Sequence, residues 1–138
     1  EPKVALISHS NFGNADTPSA LKMRQAVELL REREPDLEVE GEMHPDAALD
    51  SNYRGFIFPN SRLQGPANFL VFPSLDAANS AFNLLKSAGD GLAIGPFLLG
   101  AAKPAHILTP SVSARGLVNM SALAVVDAQS REEQGRLI

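Results

Sequence analysis

Two short apolar runs, each followed by a helix start signal, constrain the fold of this chain more than any other feature. Residues 4–7 are continuously apolar and stop at polar residues, which is typical of a buried parallel strand. Thr17 and Pro18 then suit the start of a helix that runs to about Arg33. Residues 67–72 form a second apolar run before another helical pattern. Strands that alternate with helices predict an α/β domain with a mainly parallel sheet and helices on both faces.

The other segments are assigned from the spacing of their apolar residues and from the capping, glycine and proline residues that bound them. We expect one irregular segment, because residues 50–66 contain glycine and proline and have no clear period. The remaining elements are a strand at residues 37–43, a helix from Ser74 to about Gly89, strand-like segments at 93–99 and 105–108, and a last helix from Ser113 to about Gln129.

The last helix has almost no polar face. Residues 117–126 are nearly all apolar, and a helix that is apolar all round is normally buried on all sides. A single domain of 138 residues has few such places, so this helix predicts a missing domain or a subunit interface. We divide the chain into one domain over residues 1–129 and a tail or linker over residues 130–138.

Composition narrows the classes of function. The net charge is −4 with no visible basic patch, which argues against a nucleic-acid partner. The absence of cysteine excludes disulfides, thiol catalysis and cysteine metal sites, and it fits a cytoplasmic location. The longest weakly polar run, residues 92–102, is about half the length that a bilayer requires, so no membrane partner is expected.

Generic catalytic and metal motifs are absent. There is no nucleophile elbow and no phosphate-binding Walker loop. Gly89, Gly91 and Gly95 follow a helix rather than a strand and are spaced one residue too far apart for a dinucleotide loop. The histidines have no metal-ligand spacing either, and a scattered histidine is usually a surface or hydrogen-bonded residue; they are His9, His44 and His106.

The polar loop at residues 8–14 has the most promising position. It follows the first strand at its carboxyl end, which is where α/β sheets place ligands. Its hydroxyl, amide and backbone groups suit a phosphate or another polar ligand. A capped strand-to-helix turn needs the same residue types, so the residues alone leave both interpretations open.

Several segments, taken in order, resemble the phosphate acetyl/butyryl transferase (phosphotransacetylase) family. KVALISHS at residues 3–10 is similar to the family's VALLSYS strand and loop, and GPANFLVFP at residues 65–73 to its GKANVLIFP. PDL, EGEM and DAA between residues 35 and 48 are similar to its PDL…DGEL…DAA pattern. LDAAN at residues 75–79 and IGP with later Gly, Lys and Pro at residues 94–104 continue the series. Each match is weak alone, but the collinear series is specific.

The resemblance implies a fold and an activity. The family has a two-part α/β architecture similar to that of isocitrate and isopropylmalate dehydrogenases, with the ligand site in the cleft, and this chain looks like its second half. Active members transfer an acetyl group between phosphate and CoA, using a serine, the arginine after it and an aspartate seven residues after the serine. Those positions read Thr109, Pro110 and Gly116 here, and a further family arginine falls at Ser87, beside Lys86. The chain therefore resembles the family but lacks most of its catalytic set.

Two segments are most similar to malic enzymes with a fused transferase-like domain. They are LTP at residues 108–110 and GLVNM at residues 116–120. In that version the N-terminal part oxidatively decarboxylates malate with NADP and a divalent metal, Mg or Mn. The fused domain supports oligomerisation and lets acetyl-CoA regulate the enzyme. The resemblance thus implies that the cofactor-binding residues lie outside this chain.

The leading interpretation is an acetyl-CoA-binding regulatory and oligomerisation domain of an NADP-dependent malic enzyme. Its expected partners are acetyl-CoA, the N-terminal part of the same protein and other copies of the chain. The alternatives are an active phosphate acetyltransferase and a purely structural domain that pairs subunits. No residue is assigned to catalysis or to a metal. The expected ligand contacts, each of which also has an ordinary structural explanation, are Ser8, Ser10, Asn11, Arg62, Asn79, Lys103 and Thr109.

Overall fold

The computed structural model describes residues 1–89 and 92–135. The chain forms two compact units, Glu1–Ser87 and a second unit that begins at Ala88. Each unit is described by itself.

The first unit is built on a parallel sheet of three strands. In chain order these are β1 (Lys3–Ile7), β2 (Glu38–Met43) and β3 (Phe69–Val71), and β1 lies between the other two. Val4 pairs with Val39 on β2 and with Phe69 on β3. The α/β class, the parallel sheet and the three predicted strands of this unit are therefore confirmed, although β3 is shorter than predicted.

Helices pack on both faces of this sheet because side chains alternate along β1. Val4 and Leu6 face the first helix, α1 (Pro18–Arg33), and contact its Met23 and Val27. Ala5 and Ile7 point to the opposite face, where they pack against the buried alanines of α2 (Pro45–Leu49). Thr17 caps α1 as predicted, and its side chain accepts a hydrogen bond from the Ala20 N–H.

The prediction that residues 50–66 are irregular is wrong for their first half. A further helix, α3 (Ser51–Ile57), begins there, directly after α2. Asp50 separates the two helices and caps the second, since its Oδ1 accepts hydrogen bonds from the N–H groups of Asn52 at 2.9 Å and Tyr53 at 3.0 Å. Helices this short show no helical period, so their only sequence signal was the capping residue.

The fourth helix, α4 (Leu75–Ala88), begins and ends close to the predicted positions. Ser74 precedes it, and the Ser74 Oγ accepts a hydrogen bond from the Ala77 N–H at 3.2 Å. None of the residues of α4 is buried. Leu75, Phe82 and Leu85 are all exposed.

The second unit contains the last helix, α5 (Ala114–Gly135), but no strand at residues 92–113. The strands predicted at 93–99 and 105–108 are therefore wrong. Pro96, Gly100 and Pro104 interrupt this apolar segment, and proline and glycine both weaken strand pairing. The helix also continues past Gln129, where its end was predicted, and an i,i+4 ion pair between Asp127 and Arg131 spans that point.

The last helix is not buried on all sides within this chain. Met120 is buried, whereas Leu117, Val118, Val125 and Val126 are between 50% and 66% exposed. Because α5 runs through the predicted boundary at residue 129, the division into a domain and a tail stays a prediction. In the part of the chain that the structure describes, no helix has both the length and the apolar character needed to cross a bilayer.

Candidate functional site

The loop at residues 8–14, which we call the strand-end loop, follows β1 and contacts the end of the neighbouring strand β2. It begins where β1 ends, and the Ser8 N–H donates to the carbonyl of Met43, the last residue of β2, at 2.9 Å. The side-chain oxygen of Asn11 accepts from the His44 N–H at 2.7 Å. The loop therefore lies at the carboxyl edge of the sheet, where parallel sheets commonly place ligands.

A buried carboxylate organises the strand-end loop. Glu42 is 1% exposed, and its Oε1 accepts from the Ser10 hydroxyl at 2.7 Å and from the Gly13 N–H at 2.9 Å. Arg24 of α1 completes the set with a two-point contact, from Nη2 to Oε1 at 3.0 Å and from Nε to Oε2 at 3.1 Å. The planar fork of arginine fits a carboxylate in this way, which fixes the position of both groups.

These contacts keep Glu42 ionised. Burial raises the pKa of Glu42, but hydrogen bonds from Arg24, Ser10 and the Gly13 N–H outweigh it and lower the pKa to about 2. Hydrogen bonds to Glu42 and then to Asp16 raise the pKa of Arg24. Glu42 is therefore a stable anion rather than a base for proton transfer at neutral pH. Arg24 also donates to Asp16 and to the Ala15 carbonyl, so its guanidinium is already engaged on all three nitrogens.

This carboxylate predicts a pH dependence of stability. The pKa of Glu42 is lower in the folded chain than in the unfolded chain, so its contribution is present above about pH 4.5 and is lost as the pH falls towards 2. Thermal melts over this pH range should show a falling midpoint. In Glu42→Gln the part of that fall due to this group should disappear, while the midpoint at pH 7 should be lower. An unchanged pH profile in Glu42→Gln would contradict this assignment.

Ser8 and Ser10 hold the loop from inside. Ser8 is 4% and Ser10 0% exposed. The Ser8 Oγ accepts from the Ser10 N–H at 3.1 Å, and the Ser10 Oγ contacts Glu42, Asn14 and the Ala15 N–H. A ligand outside the loop does not reach these hydroxyls in this conformation. The predicted direct contacts of Ser8 and Ser10 therefore have no support in the geometry.

The exposed side of the strand-end loop is formed by His9 and Asn11 rather than by the two serines. His9 is exposed, and its Nε2 lies 3.2 Å from the Thr17 hydroxyl at the start of α1. The His9 carbonyl accepts from His44 Nε2 at 2.8 Å. Asn11 is half-buried, and its oxygen is used by His44, as described above. A ligand at this edge would meet the exposed His9 imidazole together with the half-buried Asn11 amide.

Arg62 and Asn79 are the other predicted contacts in the first unit. Arg62 donates from Nη2 to the Pro35 carbonyl at 2.9 Å, and its N–H donates to Glu40. Pro35 comes before β2, so Arg62 lies towards the opposite end of that strand from the loop. Asn79 is exposed on α4, where its carbonyl accepts from the Asn83 side chain at 2.9 Å. The structure therefore does not bring Arg62 together with the loop.

The predicted contacts in the second unit are exposed. Lys103 is exposed, and Thr109 is exposed with its hydroxyl 3.0 Å from the Ser111 hydroxyl. Gly116 sits in a tight place, since a Cβ there would lie 2.8 Å from a methyl group of Val112. Within this unit, neither the proline after Thr109 nor Gly116 supplies the cation or the base that acyl transfer to phosphate needs.

Sequence reasoning missed the buried arginine Arg54 as well as Glu42 and Arg24. Arg54 is 2% exposed and borders a pocket of about 250 Å³ together with Ser51, Phe58 and Gln64. Its guanidinium donates to four backbone carbonyls and one hydroxyl, so it is a structural group rather than a free cation. The sequence did contain a signal for a buried carboxylate. The strand β2 has acidic residues at three alternate positions, and a carboxylate that is buried needs a positively charged or hydrogen-bonding partner.

Comparison with known proteins identifies the family of this chain and the proteins to which it is similar. Residues 1–125 match the family described as phosphate acetyl/butaryl transferase. The chain is 56% identical over 132 residues to an NADP-dependent malic enzyme of Escherichia coli (strain K12), covering 95% of this chain and 17% of that protein. It is 58% identical over 127 residues to an NAD-dependent malic enzyme of Rhizobium meliloti (strain 1021), covering 92% and 16%.

A solved structure gives the same result for the fold. A phosphotransacetylase from Streptococcus pyogenes superposes with a TM-score of 0.84 at 34% identity, over 95% of this chain and 39% of that one. The chain thus spans less than a fifth of the malic enzymes it matches, in their C-terminal transferase-like region. The predicted resemblance is confirmed, and this chain belongs to the phosphate acetyl/butyryl transferase family.

Proposed function

We propose that this chain is an acetyl-CoA-binding regulatory and oligomerisation domain of a malic enzyme and that it has no transferase activity. One observation carries the proposal: the catalytic positions of the family read Thr109, Pro110 and Gly116, in a chain that is 56% identical to a malic enzyme. Identity to the solved phosphotransacetylase is lower, at 34%. We therefore expect a domain that keeps the family fold but lacks the catalytic residues to bind a ligand without transferring an acetyl group.

The site chemistry supports the absence of transfer. A base must take the CoA thiol proton, and a cation must stabilise phosphate and the developing oxyanion. Glu42 has a pKa of about 2, far below that of a thiol, and it is paired with Arg24. Thr109 keeps a hydroxyl, but the residue after it is a proline, which has no charge to offer.

Within this proposal, exposed residues bind the effector and buried ones shape the loop. In the first unit Asn79 is exposed and Asn11 is half-buried at the loop, and in the second unit Lys103 and Thr109 are exposed. Ser8 and Ser10 act through the loop conformation. Arg62 is the weakest of the predicted contacts, because it lies towards the other end of β2.

The parent protein is also part of the proposal. Its N-terminal part would carry malate oxidation, with NADP or NAD and a divalent metal held by residues outside this chain, in a cytoplasmic enzyme. The relatives include both an NADP-dependent and an NAD-dependent malic enzyme. The two-part architecture similar to isocitrate dehydrogenase is proposed on the same basis.

Lys103 gives a direct test of the binding site. Lys103→Ala should weaken acetyl-CoA binding about tenfold, since a hydrogen bond to a charged group contributes about 1.5–3 kcal/mol and the lysine is exposed. Titration calorimetry measures the change. Arg33→Ala is the matched control, because it removes one exposed positive charge at the end of α1 and should leave binding unchanged. Equal binding by the Lys103→Ala variant and the wild type would remove Lys103 from the site.

The second candidate is an active phosphate acetyltransferase. It is favoured by the Thr109 hydroxyl at the position of the family serine and by the matching fold. Formation of acetyl-CoA from acetyl phosphate, abolished by Thr109→Val, would establish this alternative. The same assay without turnover leaves the binding proposal in place.

A further inference from the structure

The carboxylate of Glu42 holds the strand-end loop from its inner side. Its Oε1 accepts from the Ser10 hydroxyl at 2.7 Å and from the Gly13 N–H at 2.9 Å. Ser10 is the residue between His9 and Asn11, which form the exposed side of the loop. Because neighbouring residues share a backbone, a contact that fixes Ser10 also limits the directions in which His9 and Asn11 can point.

The backbone of the loop needs such support at Phe12. This residue has a φ of +48°, in the left-handed region that residues other than glycine rarely adopt. Its N–H donates to the Glu42 carbonyl at 2.8 Å, and its ring stacks on that of Phe58 with the centroids 4.1 Å apart. A strained conformation of this kind persists only where its surroundings hold it. We therefore expect the loop to change shape when its contacts with Glu42 are removed.

Arg24 extends this support to the other end of the loop. Besides its two contacts with Glu42, it donates to the Ala15 carbonyl at 3.0 Å. Two residues further on, the Thr17 hydroxyl lies 3.2 Å from Nε2 of His9. Arg24 thus fixes the chain just before the group that the exposed His9 ring contacts.

A second ion pair joins the same helix and strand without reaching the loop. Glu40 of β2 is 1% exposed, as Glu42 is, and it pairs with Arg31 of α1. Its other donors are the N–H groups of Gly41 and Arg62, which lie outside the loop. The Arg31–Glu40 pair already joins α1 to β2, so what Glu42 adds is the contact with the loop.

We propose that Glu42 and Arg24 are positioning residues for the effector, because they hold His9 and Asn11 in the directions in which these two residues contact acetyl-CoA. The inference rests on the proposed function and deepens it, since it assigns part of the affinity to two side chains that act through the loop. Ordering side chains on binding costs free energy, so a loop that is ordered beforehand binds its ligand more tightly.

The dissociation constant of acetyl-CoA tests the positioning role. Glu42→Gln should raise it about tenfold, because the side chains of the loop must then be ordered on binding. Glu40→Gln is the matched control, since it removes the same charge from a carboxylate that is equally buried on the same strand, and it should leave the constant unchanged. Calorimetry on the longer malic enzyme that the proposed function implies measures both variants, and thermal melts compare their losses of stability.

Hydrogen–deuterium exchange, read by mass spectrometry on the same proteins without ligand, tests the loop directly. In Glu42→Gln the amides of residues 10–15 should exchange faster. In Glu40→Gln the faster exchange should instead lie at Gly41 and Arg62, whose N–H groups Glu40 binds. Arg24→Lys keeps the charge but loses the two-point contact, so it should show the loop effect and the loss of affinity at smaller size. This variant serves if Glu42→Gln does not fold.

Three outcomes would overturn the positioning role while leaving acetyl-CoA binding in place. They are equal affinity of Glu42→Gln and the wild type, an equal loss of affinity in Glu42→Gln and Glu40→Gln, and unchanged exchange of residues 10–15 in Glu42→Gln. A wild-type enzyme that does not bind acetyl-CoA would instead overturn the proposed function, and this inference with it.

Discussion

Arg54→Leu is expected to lower the free energy of unfolding by about 3–5 kcal/mol, because it breaks a buried hydrogen-bond network. Nη1 of Arg54 donates to the carbonyls of Ala47 at 2.9 Å and Ala48 at 3.2 Å. Nη2 donates to the carbonyls of Leu63 and Gly65, and Nε to the Ser61 hydroxyl. The arginine thus joins the end of α2 to the segment before β3. Its loss removes a donor from each of these acceptors, although the Ala48 carbonyl still accepts from the Ala67 N–H at 2.8 Å.

Denaturant unfolding measures this loss of stability, and two further variants serve as comparisons. Arg54→Lys keeps the charge but not the planar fork, so we expect an intermediate loss. Arg62→Leu is the matched control, because Arg62 is exposed and its side chain donates to the Pro35 carbonyl. The control should lose less than about 1 kcal/mol. If Arg54→Leu were as stable as the Arg62→Leu control, the network would contribute far less than its geometry indicates.

Gly41→Ala is expected to cost about 2–4 kcal/mol, which combines overpacking with an unfavourable backbone angle. Gly41 has a φ of +147°, and a Cβ there would lie 2.7 Å from the Leu6 carbonyl oxygen and 3.0 Å from the Leu6 Cβ. These atoms belong to β1, the central strand, at the point where its pairing with β2 shifts register. The strand has no room to yield, since Leu6 is buried against α1.

Gly55→Ala provides the comparison for this glycine. Gly55 lies in α3, and a Cβ there would meet nothing within 4 Å. Alanine in an open helical position should stabilise the chain by up to about 1 kcal/mol. Opposite signs for the two substitutions, measured in the same denaturant titration, would confirm the close approach of β1 and β2. A neutral Gly41→Ala would contradict it.

The parts of the fold that the sequence predicted are those with a clear period or run. The apolar run was sufficient to predict β1, and the helical spacing of apolar residues was sufficient to predict α1. A strand buried in a sheet and a helix buried on one face each require such a pattern. The helix α3 has no such pattern, and only the capping residue Asp50 marks it. The segment at 93–99 shows the converse error, since its apolar run predicted a strand, whereas the structure has no strand there.

The position of the strand-end loop was predicted from the sequence, but the side-chain contacts within it were not. The strand-end loop lies at the carboxyl edge of the sheet, as its position after β1 indicated. The contact between Arg24 and Glu42 joins residues on different elements, and neither period nor spacing predicts such a pair. The direction of the Ser8 and Ser10 hydroxyls was equally hidden, since a ligand site and a capped turn use the same residue types.

Acetyl-CoA binding, measured by calorimetry alongside an acetyl phosphate turnover assay, tests the central claim most directly. Both should be measured on this chain and on the longer malic enzyme that the proposed function implies. We predict binding to the longer protein without turnover in either sample. Binding that is lost in this chain would place part of the site outside it. Formation of acetyl-CoA from acetyl phosphate would contradict the account, because Thr109, Pro110 and Gly116 supply neither the base nor the cation that this reaction needs.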